Sequence, residues 1–542
     1  MIRSLRTTTA IAALCVAGAI AVPQGAAQTE VAADLILHGG TVYSGEAAPF
    51  RGDVAIRGDR ITYVGPKAPG TATRTIDATG LIVAPGFIDP HTHVNEALAS
   101  SDPAARLVLP FLTQGVTTAF IGVDGGGDPD IARTFGTAKA ASGDGEAGLG
   151  QSMRDFGINF AAYVGLGAVR AKVIGAADRA PTPAELAQMT DLVDKAMCDG
   201  ALGLSTGLFY APQSFAKRDE VVALAKAAAA KGGIYDSHLR DESSYTSGLA
   251  AAVDEALAIG RDAGIPVHIA HIKALGVDVH GQAGAVIAQI EKAQKAGQVV
   301  HADQYPWSAS GTGLSAALLP RWAQDGGRAA MLKRFDDGAT MARMRPEIAE
   351  NLRRRGGPAS LLITSGPAGV EGKTLEDVAK EQGVDPVDAA IAVLRQREAG
   401  VASFNQSEAD IAAFMTRPWV VTSSDASRGH PRYYASYARK YATYVKDKRV
   451  LDLRRFIAQS TTTTARLFGL EDRGELKAGA FADVIAFDPE TFAPRADYAD
   501  PALFSTGMRF VLVNGVLALE DGAPTGAAGG KPLPRTPVAG CQ

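Results

Sequence analysis

The stretch PGFIDPHTHVNEA, residues 85–97, decides how the chain is read. Its apolar run stops on Asp89-Pro90 and then offers His91 and His93, two positions apart. In an extended chain, positions i and i+2 point the same way, so both imidazoles can reach one cation. Alone, the pair could equally be two ordinary polar loop residues, and its meaning depends on what surrounds it.

Outward from this stretch, short apolar or β-branched segments alternate with Ala-rich, helix-favouring ones such as DEVVALAKAAAAKGG and DEALAIGRDAG. That alternation marks an α/β domain with a parallel sheet. Eight strand candidates fall at 87–91, 117–123, 159–165, 201–205, 234–238, 267–271, 299–303 and 419–424, and eight is the number that closes a barrel. An open doubly wound sheet would want a Gly-rich phosphate loop after its first strand, where His-Thr-His stands instead. The expected fold is therefore a (β/α)8 TIM-like barrel over residues 85–465. Its last two strands are separated by residues 306–418, far more than barrel elements usually need. An insertion of that size is expected to form a lid or substrate wall over the C-terminal mouth. Residues 28–84 and 466–542 contain strands without intervening helices, with hairpin turns at Gly58-Asp59 and Asn514-Gly515. The simplest packing joins the two ends into one small β-sandwich domain.

With 542 residues, 46% hydrophobic and 21% charged, the chain can fill a large enzyme domain and a smaller one. The formal charge of -4 gives no sign of a nucleic-acid partner or an anionic membrane surface. Residues 1–27 read as a signal peptide: MIRSLR is basic, Ala10 to Val22 is apolar or small, and cleavage is expected after Ala27. Thirteen residues span only about 20 Å as a helix, short of a bilayer core of roughly 30 Å. The mature protein is thus expected to be periplasmic or secreted and not stably inserted in a membrane. Cys15 lies within the apolar run. Only Cys198 and Cys541 remain after cleavage, and no disulfide framework is readable from them.

Three further residues stand at the ends of candidate strands. His238 closes the fifth in IYDSHLRDE, His271 closes the sixth in VHIAHIK, and Asp425 follows the eighth in VVTSSDAS. Barrel enzymes gather their reacting groups at strand ends, and imidazoles with carboxylates suit Zn²⁺ or a similar divalent ion. His268, three residues before His271, is expected on the opposite face in a structural role. His38, His280, His301 and His430 receive no role.

In order along the chain, PGFIDPHTH, QGVTTAFIGVDG, GALGLSTGLFYAP, SHLRDE, HIAHIK, DQYP, TSSDAS with HPR, and FGLEDRGELKAGAFADVIAFDP resemble the amidohydrolase superfamily. Within it they resemble the N-acyl-D-amino-acid deacylases (D-aminoacylases), from about Ala33 to Arg535. The resemblance implies one or two divalent ions, most readily zinc, with His91 and His93 on one, His238 and His271 on the other, and Asp425 as metal-contacting acid/base. It also implies that Lys273, Tyr305 and Arg432 grip the substrate carboxylate. The chain departs from the family at one point. These deacylases carry a zinc-ligating cysteine in a GNCG-like turn after the second strand, where this chain has Gly122-Val123-Asp124-Gly125. Other relatives use a carboxylated lysine on the fourth strand, but GALGLSTGL contains none. Asp124 is the remaining candidate bridge, and a hard oxygen ligand shifts preference away from thiolate-loving metals.

The implied reaction is hydrolysis of an N-acyl-D-amino acid. A bound divalent ion lowers the pKa of its water to roughly 7, and the hydroxide attacks the acyl carbonyl while Asp425 handles the proton. The rival readings are an exported amidohydrolase acting on dipeptides, cyclic amides or other amides and, more remotely, a periplasmic solute-binding protein. The latter has no use for metal-type residues at strand ends.

Overall fold

The protein is described by a computed structural model covering residues 33–136 and 155–541. The expected signal peptide lies outside the described residues.

Eight parallel barrel strands are present: Phe87–Asp89, Val116–Ile121, Asn159–Ala162 continued by Val164–Gly165, Gly203–Gly207, Ile234–His238, Val267–Ile269, Val300–Gln304 and Val420–Thr422. Each pairs in parallel with the next, and a bridge between Thr92 and Ala426 joins the last strand to the first. The intervening helices lay apolar faces on the outside of the strands. Leu249–Ala263 shows this well: Leu249, Val253, Ala256, Leu257 and Gly260 recur at helical spacing and are buried, while the αL Gly264 ends the helix.

Inside, the barrel is layered. Ile88, Phe120, Ala161, Leu202 and Ile234 form an apolar floor into which Phe468 inserts, its ring 4.8 Å from Phe120. Above lies a buried polar layer containing Asp236, His268, His301 and Asp303. The strand ends carrying the candidate ligands come next.

Strands from the two chain ends make one continuous nine-stranded sheet around an apolar core that includes Leu37, Val54, Ile76, Val484 and Phe510. The Asn514-Gly515 turn has both φ angles positive, as a type I′ hairpin requires. Residues 309–404 contribute a separate three-stranded antiparallel sheet, Ala309–Gly313, Gly400–Phe404 and Leu361–Ser365, with helices packed on an apolar core of their own.

One feature was not legible in the sequence. Cys198, ending the helix Pro183–Cys198, forms a disulfide with Cys541. The C-terminal segment makes this possible by running along the N-terminal ends of the barrel strands. Gly530 pairs with Phe156, Arg535 N–H donates to Gly200 O, and Lys231 Nζ donates to Gly540 O. Replacing Cys198 by Ser is expected to lower stability by about 2–4 kcal/mol. Chemical denaturation under non-reducing conditions checks this, and an unchanged midpoint would show that the bond contributes nothing.

Candidate metal centre and active site

Six of the residues singled out above converge at the C-terminal mouth. Asp124 lies at the middle: its Oδ1 is 3.4 Å from His91 Nε2, 3.3 Å from His238 Nδ1 and 3.4 Å from His271 Nε2, and its Oδ2 is 3.5 Å from His93 Nε2. Asp425 Oδ1 is 3.3 Å from His93 Nε2 and 3.9 Å from His91 Nε2. The potential ligand atoms fall into two groups, His91–His93–Asp124 and Asp124–His238–His271, each within 4.8 Å. Asp124 belongs to both.

These separations can be tested against a metal. Two ligand atoms each about 2.0–2.1 Å from one ion in tetrahedral geometry lie about 3.3 Å apart. The four contacts of Asp124 are at or near that edge length. Its Oδ1 and both ring nitrogens of His91 are buried and have no hydrogen-bond partner among the described residues. Buried polar atoms without partners call for a ligand, and these atoms fit divalent ions.

The backbone is built for this. Asp124, His271 and Asp425 all have positive φ, at 54°, 34° and 49°, a region costly for residues with a Cβ and concentrated at functional sites. Asp124 is held there by its neighbours. Gln213 Nε2 donates to Asp124 O, and a Cβ on Gly125 would come within 1.9 Å of Gln213 Oε1, so only glycine fits. Ser205 on the fourth strand ties both sides of the turn, accepting from Gly125 N and donating to Gly122 O.

Two carboxylates not assigned from the sequence support the histidines from behind. Glu242 Oε1 is 3.2 Å from His271 Nδ1, and its Oε2 is 3.8 Å from His238 Nε2, so one side chain backs both rings. Asp303 Oδ2 lies 4.0 Å from His91 Nδ1, accepts from His268 Nε2 at 2.6 Å, and Oδ1 accepts from His271 N–H. His268 therefore does not point away from the site. The left-handed φ of His271 breaks strand alternation, so both histidines face the barrel interior, and His268 also meets His301 at 2.6 Å. The signals were present: Glu242 follows His238 by four residues, and Asp303 opens DQYP. Glu242→Gln is expected to weaken metal binding about 10–100-fold, as for other groups that orient a ligand histidine. Competition against a chelator reads this directly.

Asp124 and Asp425 are both held well below the usual carboxylate range. Burial opposes this, but His238 and His91 around Asp124, and Arg432 and His271 beside Asp425, outweigh it. Burial likewise disfavours charge on His93 and His271, yet the surrounding carboxylates push them up to about 9 and about 10. A ring that carries a proton in metal-stripped protein must lose it on binding, because ligation requires neutral imidazole. Metal uptake at pH 7 is thus expected to release protons, and affinity to rise with pH up to about 9–10. Calorimetric titrations in buffers of different ionisation enthalpy measure the release; none at pH 7 would contradict it.

Lys273, Tyr305 and Arg432 line the same cavity of about 460 Å³. Lys273 Nζ donates to Glu242 Oε1 at 2.6 Å, and Arg432 Nη1 donates to Asp425 Oδ2 at 2.6 Å. The Tyr305 ring stands between them, 5.6 Å from Nζ and 5.2 Å from the guanidinium carbon. The far wall comes from the 306–418 insertion, including Ser310, Gly311 and Val401. His430 accepts from Arg432 N–H; His38 and His280 bond to Asp53 and Asn405 O away from the ligand cluster.

An eight-stranded α/β barrel with a His/Asp cluster fit for divalent metal at its mouth, joined to a β domain made from both chain ends, defines a metal-dependent hydrolase scaffold. The chain belongs to the amidohydrolase family, whose model matches residues 74–518. It is 33% identical to "D-aminoacylase" of Alcaligenes xylosoxydans xylosoxydans, over 93% of this chain and 98% of that protein. It is 32% identical to "N-acyl-D-glutamate deacylase" of the same organism, over 91% and 95%. Among solved structures, an N-acyl-D-glutamate deacylase from Bordetella bronchiseptica, complexed with zinc and a phosphonate inhibitor, superposes with a TM-score of 0.77 at 30% identity, covering 93% of this chain and all of that one. A D-aminoacylase structure concerned with a binuclear metal centre gives 0.76 at 30% identity, covering 93% and 99%.

Proposed function

We propose that the protein hydrolyses the amide bond of N-acyl-D-amino acids, using zinc held by His91, His93, Asp124, His238 and His271, with Asp425 in contact. The observation that carries this reading is the convergence of those ligands on a cavity that also presents Lys273, Tyr305 and Arg432. When bound, the divalent ion polarises the acyl carbonyl and activates a water.

The chain's own groups supply the rest. Asp425 Oδ1, next to His93, accepts the proton of the attacking water, and the resulting carboxyl returns it to the departing amine nitrogen. Arg432 holds Asp425 Oδ2, which fixes the orientation of Oδ1 toward the reacting carbon. Lys273 and Arg432 bind the substrate α-carboxylate, the guanidinium through paired hydrogen bonds and the ammonium as a point charge. Tyr305 fixes the spacing of these cations. The insertion wall closes the cavity and limits water. The products are a carboxylate and a free amino acid.

Export is part of the proposal. It rests on the N-terminal reading and on the Cys198–Cys541 disulfide, which suits an oxidising compartment. The catalytic reading is tested by assaying zinc-loaded protein against N-acetyl-D- and N-acetyl-L-amino acids with short dipeptides alongside. Preferential release of D-amino acids is expected, whereas cleavage of dipeptides alone would reassign the enzyme as a peptidase.

A further inference from the structure

The small sheet of the insertion has a free edge. Its strand order leaves Ala309–Gly313 outermost, with only Gly400–Phe404 beside it. Neighbouring hydrogen bonds show which way each peptide group points. Asn405 N–H donates to Ser308 O at 3.3 Å, and Leu314 N–H donates to Ala399 O at 2.7 Å. These two pairs bracket one unbroken register, so Ser310 and Thr312 bond to Ser403 and Val401, while Ala309, Gly311 and Gly313 turn their N–H and C=O groups to the other edge. At Ala309 that edge is covered by His430, whose Nε2 donates to Ala309 O, and by Tyr498. Gly313 C=O begins the helix Leu314–Leu318. That leaves Gly311 N–H, Gly311 C=O and Gly313 N–H without partners among the described residues.

Two side chains fix where this edge looks. Tyr210 and Arg432 follow the fourth and eighth of the eight barrel strands, and so stand on opposite sides of the mouth. The Tyr210 ring lies 4.7 Å from the His238 ring, and its hydroxyl is 3.4 Å from Thr312 Oγ1. Arg432 holds Asp425 and packs on Gly311, where a Cβ would come within 2.9 Å of Nη2. Successive residues of a strand face opposite ways, so the two side chains rise from the ligand cluster along opposite faces of Ala309–Gly313. The edge between them overlooks the cavity, which Ser310, Gly311, Thr312 and Gly313 all line. Free strand edges bind extended chains through main-chain hydrogen bonds. With a substrate carboxylate at Arg432, Gly311 N–H can donate to that carboxylate, and Gly311 C=O can accept from the scissile amide N–H. In antiparallel pairing Gly313 N–H then meets the carbonyl two residues back from the carboxylate. An acetyl group ends short of that point, whereas an acyl group with a second carbonyl reaches it.

Building on the deacylase reading, we propose that the main-chain edge at Gly311 and Gly313 is an acyl-binding subsite that selects N-acylaminoacyl-D-amino acids, short blocked peptides ending in a D-residue, whose second carbonyl accepts from Gly313 N–H. The φ of Gly313, -74°, suits proline, Thr312 before it is in a strand, and a Cβ would come closest to Glu398 Oε1, at 3.3 Å, the end of an exposed side chain. Gly313→Pro therefore deletes the edge donor and leaves the ladder in place, while Gly313→Ala keeps the donor. The test compares kcat/KM of zinc-loaded protein for N-levulinoyl-D-methionine, whose keto group stands where the second amide carbonyl would, and N-pentanoyl-D-methionine, equal in chain length and lacking it. The wild type is expected to favour the levulinoyl substrate at least about 5-fold, Gly313→Ala to keep that ratio within about twofold, and Gly313→Pro to bring it to about 1. Bulk added by the proline ring weighs on both substrates and cancels in the ratio. N-acetylglycyl-D-methionine should be hydrolysed at least as fast as N-acetyl-D-methionine. Equal handling of the levulinoyl and pentanoyl substrates by the wild type, or an unchanged preference in Gly313→Pro, overturns the proposal; the wild-type ratio decides alone should that variant not fold. Slower hydrolysis of the acetylglycyl than of the acetyl substrate overturns the substrate class. If no N-acyl-D-amino acid is hydrolysed, the deacylase reading fails separately. The edge is then read by calorimetry with the levulinoyl and pentanoyl compounds: at least about 5-fold tighter binding of the former, lost in Gly313→Pro, supports it, and equal binding contradicts it.

Discussion

Asp425→Asn is expected to keep its full complement of metal and lose at least about 10³-fold in kcat, with KM changed little. The amide is the same size and keeps an oxygen toward His93, but it cannot take the water proton, and general acid/base groups contribute typically 10²–10⁴-fold. The buried partner deepens the effect, because with the amide oxygen toward His93 the amide NH2 faces Arg432 Nη1 and leaves that donor without its acceptor. Metal analysis and initial rates on one preparation separate the two roles. Activity within threefold of the wild type would remove Asp425 from proton transfer, and loss of metal would make it primarily a ligand.

Asp124→Ala should bind at least one fewer tightly held ion per chain and lose about 10²-fold or more in kcat/KM. No other carboxylate among the described residues faces both histidine pairs, since His91, His93, His238 and His271 all have a ring nitrogen within 3.5 Å of its oxygens. Removing it leaves four imidazoles with no anion between them, and two divalent ions without a bridge repel each other. Asp124→Cys places a thiolate at the same turn and should regain metal, with preference moved toward softer ions. A full complement of tight metal in Asp124→Ala would end the bridging assignment.

Much of the fold was legible because it rests on local chemistry. Barrel strands announce themselves as β-branched runs between Ala-rich helices, and Gly58-Asp59 and Asn514-Gly515 dictate their own turns. The candidate ligands were legible because each stands where a strand ends. What escaped depends on long-range approach. Pairing of Cys198 with Cys541 is visible only once the tail is known to run under the barrel. The inward turn of His268 depends on the left-handed backbone of His271, which spacing cannot reveal. Glu242 and Asp303 looked like ordinary acids until the histidines they support were in place.

The measurement that reaches the centre of this account is a back-titration of chelator-stripped protein with zinc, following release of free amino acid from the N-acetyl derivatives of D- and L-glutamate and D- and L-methionine. Activity is expected to be absent in stripped protein, to return in proportion to bound ion, and to fall on the D-enantiomers. Stripped protein as active as reloaded protein, or faster hydrolysis of the L-enantiomers, would contradict it.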